Sequence, residues 1–104
     1  MKQFNIQISD SAYLDISEAT NYVSIELGNP YAADKLLTEF YKAASLLSSF
    51  PYIHPIIDDY YMQSNSLRYF RVGNYLAFYR IDESAATVTI DRFLYGRSNW
   101  EEII

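Results

Sequence analysis

A chain of 104 residues that is 50% hydrophobic and 20% charged, with three glycines and three prolines, has the make-up of one compact domain and not of a disordered tail or a fibre. Having no cysteine and one histidine excludes thiol catalysis, zinc–thiolate sites and iron–sulfur clusters, and eleven tyrosines with six phenylalanines supply a core that needs no staple. A net charge of −5 argues against loose binding to bulk nucleic acid, and a start without a leader pattern, with no apolar run near ~18 residues, predicts a cytoplasmic chain with no membrane contact.

Phe4-Asn5-Ile6-Gln7-Ile8 alternates apolar and polar side chains, the period of a short strand with one buried face. Ser9-Asp10-Ser11 then offers N-caps for a first helix over residues 11–27, where Ala12, Ile16, Ala19 and Val23 recur at helical spacing until Gly28 supplies a stop. Asn29-Pro30 repeats the start signal, and Ala33, Leu36, Leu37, Phe40, Ala44 and Leu47 form the apolar stripe of a second helix reaching Ser48. So short a link makes the two an antiparallel hairpin.

Pro51 and Pro55 bracket a stretch, Phe50 to Asn65, that shows neither period and reads as a surface loop. His54 lies in it with no evident carboxylate or nucleophile beside it, which favours a structural role over catalysis. From Leu67 the period returns to two: strands over Leu67–Val72, Tyr75–Ile81 and Thr87–Tyr95 are joined by turns at Gly73-Asn74 and Asp82-Glu83-Ser84. Ser98-Asn99-Trp100-Glu101-Glu102 opens a short final helical turn. The predicted fold is α+β in the order β-α-α-β-β-β, a helical hairpin packed on one face of a small, mainly antiparallel sheet, forming a single domain over residues 1–104.

Charge divides the chain unevenly. The first sixty residues carry the whole excess of acid, while Arg68, Arg71, Arg80, Arg92 and Arg97 all fall in the second part, which contains no lysine. Arginine brings planar, bidentate donors for phosphate or carboxylate, or else pairs with Asp82, Asp91 or Glu101 across a sheet. Arg68, Arg71, Arg92 and Arg97 interleave with Tyr69, Phe70, Tyr75, Tyr79, Phe93, Tyr95 and Trp100, a mixture suited to gripping phosphates and stacking on bases. Strand alternation sets Tyr75, Ala77, Tyr79 and Ile81 against Leu76, Phe78 and Arg80, so much of this aromatic content is core. There is no glycine-rich phosphate loop, nucleophile elbow or helical zinc motif, and neither metal nor cofactor is expected.

The run Leu67-Arg68-Tyr69-Phe70-Arg71-Val72-Gly73-Asn74-Tyr75-Leu76-Ala77-Phe78-Tyr79-Arg80-Ile81-Asp82, followed by Val88-Thr89-Ile90-Asp91-Arg92-Phe93-Leu94-Tyr95-Gly96-Arg97, resembles the RelE/ParE superfamily of bacterial toxins. Asn29-Pro30, Ala32-Ala33 and Phe50-Pro51 extend the resemblance over nearly the whole chain. It implies the toxin of a type II toxin–antitoxin pair, with a cognate antitoxin whose tail folds onto an apolar groove and through which alone operator DNA is reached. Because this chain is acidic, an antitoxin tail less acidic than usual, or one held by apolar contacts, is expected.

Two kinds of action follow from the resemblance. Members similar to RelE cut messenger RNA in the ribosome without a metal; in that reading Arg68 or Arg92 holds the phosphate, Arg97 steadies the transition-state charge and Tyr95 is the acid. Such members place arginine directly after the tyrosine that opens this strand, whereas Leu76 follows Tyr75 here. The stretch Leu76–Arg80 and the ending Leu94-Tyr95-Gly96-Arg97 look closer to ParE-like members, several of which poison DNA gyrase, although Ser98-Asn99 stands where a further cation and a carboxylate are usual. The leading expectation is therefore a ParE-like toxin that binds gyrase through Arg71, Arg92, Arg97 and Trp100. The alternatives are a ribosome-dependent endoribonuclease and a detoxified antitoxin-binding module. Arg92 and Arg97 are expected to be dispensable for folding, but strict alternation puts Arg92 beside Val88, Ile90 and Leu94, where a structural ion pair is the competing reading.

Overall fold

The computed structural model describes residues 2–57, 66–98 and 100–103. The elements are β1 (Asn5–Ile8), α1 (Asp10–Asn21), a π-helical segment (Tyr22–Glu26), α2 (Pro30–Leu46), β2 (Arg68–Val72), β3 (Tyr75–Asp82), β4 (Thr87–Tyr95) and α3 (Trp100–Ile103). The strands lie in the order β1-β4-β3-β2, with β1 parallel to β4 and the other neighbours antiparallel. The α+β class and element order are those expected.

Local chemistry sets the helix starts. The Ser9 hydroxyl accepts from the Ala12 N–H at 3.0 Å, and the Asn29 side chain accepts from Ala32 N–H at 3.0 Å with Pro30 opening α2. The expected uniform helix over 11–27 is corrected: after Asn21 the chain widens into a π turn, with the Leu27 N–H reaching back to the Tyr22 carbonyl at 3.0 Å. Gly28, at φ 60°, ends it in the left-handed region that glycine adopts without penalty.

The expected loop over 50–65 is also revised for the part within the described residues; 58–65 lie outside them. Ile56 bridges Arg68, the Ile57 N–H donates to Leu67 at 2.8 Å, and Ile57 is buried, so this stretch lies along β2. One bridge beside Pro55 is too short to leave a two-residue period in the sequence. Asn99, expected within the final cap, lies outside the described residues, and α3 begins at Trp100.

Both faces of the sheet are covered. On the helix side, Ala12, Ile16 and Ala19 of α1 and Leu36, Phe40 and Ala44 of α2 pack on Phe70, Ala77, Tyr79, Val88, Ile90 and Phe93. On the other side, Leu67, Leu76 and Phe78 form a smaller cluster with Ile57, and Trp100 packs at a tilt on Phe78 with ring centroids 5.1 Å apart. Tyr79 is fully buried; burial pushes its hydroxyl up to about 12, and that hydroxyl donates to the Pro51 carbonyl at 2.8 Å. Tyr79→Phe strands this acceptor and is expected to lower stability by about 1–2 kcal/mol in a urea titration with an unchanged m-value.

β4 carries a bulge. Phe78 pairs with Arg92 but Tyr79 pairs with Ile90, leaving Asp91 as the extra residue. The alternation expected for β4 is therefore wrong past this point. Val88, Ile90 and Phe93 all join the helix-side core, while Leu94 packs on the opposite cluster. The bulge is pinned on both sides: the Ser9 hydroxyl donates to the Asp91 carbonyl at 2.8 Å, and Arg80 grips the Asp91 carboxylate at 2.6 and 3.1 Å.

Candidate functional site

The turn after β4 docks on the β2–β3 hairpin through a 2.7 Å hydrogen bond from the Gly96 N–H to the Asn74 carbonyl. A Cβ at Gly96 would stand 3.2 Å from that carbonyl and 3.4 Å from an Arg71 guanidinium nitrogen, so the Arg71 side chain lies against the turn. Arg71 shares a row with Leu76 and Leu94 on the face opposite the helices. Arg71, Tyr95 and Arg97 are exposed, and neither arginine has an ion-pair partner among the described residues. Trp100, half-buried on Phe78, borders the same face. Of the four expected target-binding residues, Arg71 lies against the turn that carries Arg97, and Trp100 lies on the sheet face that Arg71 shares.

Arg92, the fourth, is engaged elsewhere. Its Nε and Nη2 donate to the two Asp15 carboxylate oxygens at 2.7 and 2.8 Å, and the Phe93 N–H donates to the same carboxylate at 3.0 Å. The hydrogen bonds it donates to this carboxylate hold the Arg92 guanidinium charged more firmly than usual. Asp15 takes the place of a strand neighbour where β1 has ended, closing the open edge of β4. Sequence reasoning missed it, although one signal was present: an acid sitting between Ala12, Ile16 and Ala19 on the buried face of α1.

Arg68 is separated from the others. It faces the helix side opposite Tyr79, where its Nη1 donates to the His54 carbonyl at 2.6 Å and its guanidinium lies 5.1 Å from the Tyr52 ring centroid. Of the residues expected to cooperate in RNA cleavage, Arg68 and Arg92 are thus each held by a partner within the fold, Tyr95 and Arg97 are exposed at the end of β4, and Leu76 is buried. Among the described residues no group of three or more histidine, cysteine, aspartate or glutamate side chains is placed to hold a metal ion, and no helix is long and apolar enough to cross a membrane.

His54 packs its ring 5.3 Å from Phe70 and 6.3 Å from Tyr79, and burial lowers its basicity. The unfolded chain then binds the histidine proton more readily than the folded one. The resulting stability is complete above about pH 6.5 and declines as pH falls through that value toward the lower folded-state pKa. The unfolding midpoint of the wild type is expected to fall over this window, and His54→Gln to flatten the fall.

The same fold occurs in solved structures. One is the toxin–antitoxin complex RelBE2 from Mycobacterium tuberculosis, with 19% identity, a TM-score of 0.63, and coverage of 89% of this chain and 98% of that one. Another is a chromosomal ParDE system from P. aeruginosa, with 13% identity, a TM-score of 0.70, and coverage of 89% and 96%. At these identities the likeness speaks for the fold alone, a small α+β domain. The family model for the ParE toxin of type II toxin–antitoxin systems, parDE, matches residues 6–100, and the chain belongs to that family. No curated protein sequence matches it.

Proposed function

We propose that this chain arrests bacterial growth by binding a protein target, DNA gyrase, and performs no chemistry of its own. The observation that carries this reading is that two of the arginines are taken up by contacts within the fold. Arg92 is bound by Asp15 and Arg68 by the His54 carbonyl, while Leu76 is core, so among the described residues the arginines a phosphate would need are already engaged in structural contacts. What remains available is a binding surface, with exposed Arg71 and Arg97 and with Trp100 on the sheet face that Arg71 shares. Such planar donors suit carboxylates on a protein partner.

Inducing the chain alone in a bacterium tests the proposal. DNA-damage signalling with trapped gyrase cleavage complexes is the expected result. Truncated messages would favour the ribonuclease reading, and normal growth a detoxified module.

The partner that restrains it is a cognate antitoxin, which covers apolar surface the fold leaves exposed. The hairpin displays Tyr13, Leu14, Ile25, Leu27 and Tyr31, and a cavity of about 410 Å³ lies between β1 and α2 beside Phe4, Ile6, Ile8 and Tyr41. Saturating antitoxin is expected to raise the melting temperature by roughly 10 °C or more, as mass action on the folded state requires. An unchanged melting temperature would contradict this part of the proposal.

A further inference from the structure

Between α1 and the end of β4 lies a cavity of about 350 Å³ that the binding surface above does not use. Three tyrosines from three elements line it: Tyr22 from the π-helical segment, Tyr75 from β3 and Tyr95 from β4. Tyr75 lies flat on Phe93, with centroids 5.1 Å apart and an interplanar angle of 7°, so one of its faces is occupied by the core. Tyr95 meets Tyr75 at 71° with centroids 5.7 Å apart, and the two rings form a corner. Tyr22 stands on a π turn, a widened piece of helix of the kind that recurs at functional sites.

The charge around the corner is negative. Glu18, one helical turn before Tyr22, lines the same cavity and is exposed; Asp15 also lines it, but Arg92 and the Phe93 N–H already occupy its carboxylate. Arg92 lies close enough to Glu18 to feel its charge, yet it is not a lining residue. Arg97 is not one either, although Tyr95 and Ser98 on each side of it are. Aromatic faces beside a carboxylate attract an organic cation, since ring quadrupole and charge act in the same direction. A nucleotide would stack on the same rings but would bring its phosphate toward Glu18. A purely apolar side chain would draw nothing from the carboxylate.

We propose that this tyrosine pocket receives an arginine or lysine side chain from a partner polypeptide. The partner's identity as an antitoxin or target rests on the toxin reading; the chemistry of the pocket does not. The site also accounts for a chain of net charge −5 in a role that demands protein binding: the complementary partner presents a basic side chain.

The test is an NMR titration of the ¹⁵N-labelled full chain with acetyl-arginine methylamide, with its neutral isostere acetyl-citrulline methylamide and with acetyl-norleucine methylamide, and separately with uridine monophosphate. Saturating shifts around Tyr22, Tyr75 and Tyr95 are expected with the arginine compound, at an affinity about fivefold or more above the two neutral ones. Tyr95→Ala should abolish them and Glu18→Gln weaken them severalfold; both side chains are exposed, so the fold withstands either change. Equal affinity for the three compounds, no saturable shifts, shifts at another surface, or tighter binding of uridine monophosphate would each overturn the proposal. Growth arrest is not read in this experiment. A harmless chain that binds arginine leaves the pocket standing, and a toxic chain that does not bind it leaves the toxin standing.

Discussion

Asp15→Ala is expected to lower folding stability by about 3–5 kcal/mol, because it leaves a partly buried guanidinium and the Phe93 N–H without their acceptor. Arg92→Ala breaks the same pair from the other side and is expected to destabilise comparably, leaving the Asp15 carboxylate buried with one backbone partner. The double variant should lose clearly less than the sum of the two, which a double-mutant cycle by chemical denaturation measures. This replaces the sequence-based expectation that Arg92 is dispensable for folding. If Arg92→Ala melts like wild type, the pair is not structural and Arg92 returns to the binding surface. Loss of toxicity in an Arg92 variant is evidence about the target only when the variant is shown to be folded.

Arg97→Ala separates fold from function. The side chain is exposed and unpaired among the described residues, so its removal should change stability by less than about 0.5 kcal/mol. Removing a charge-assisted hydrogen bond to the target weakens binding by about 1.5–3 kcal/mol, roughly ten- to a hundredfold, enough to abolish or sharply reduce growth arrest. Arg97→Lys keeps the charge but loses the planar fork, and is expected to arrest growth only partly. Circular dichroism and antitoxin binding should match wild type in both variants. If Arg97→Ala and Arg71→Ala are each folded and fully toxic, the target surface lies elsewhere, with the helical hairpin the next region to test.

Both predictions turn on where arginines end up, and the sequence speaks unevenly about that. The elements are legible because their signals are local: Asn29-Pro30 starts α2, Gly28 at φ 60° ends the preceding turn, and two-residue alternation marks β3 from Tyr75 onward. The superfamily was likewise legible, since residues 67–97 carry its pattern and the family model spans 6–100. One departure from the RNA-cleaving reading was visible in the sequence: Leu76, an apolar residue where the resemblance leads to the expectation of arginine in RelE-like members.

Tertiary structure alone decided the rest. Alternation is a rule for an unbroken ladder, and one extra residue at Asp91 reverses it for everything beyond; that bulge depends on Ser9 and Arg80 meeting Asp91 across the fold. Asp15 and Arg92 lie 77 residues apart, and nothing in the spacing of either says that the end of β1 leaves an open edge for that carboxylate to fill. The tyrosine corner is assembled the same way, from a π turn, β3 and β4. Periodicity reports which face of its own element a side chain occupies. Which side chains meet from different elements is set by strand order and register, and these emerge only when the sheet closes.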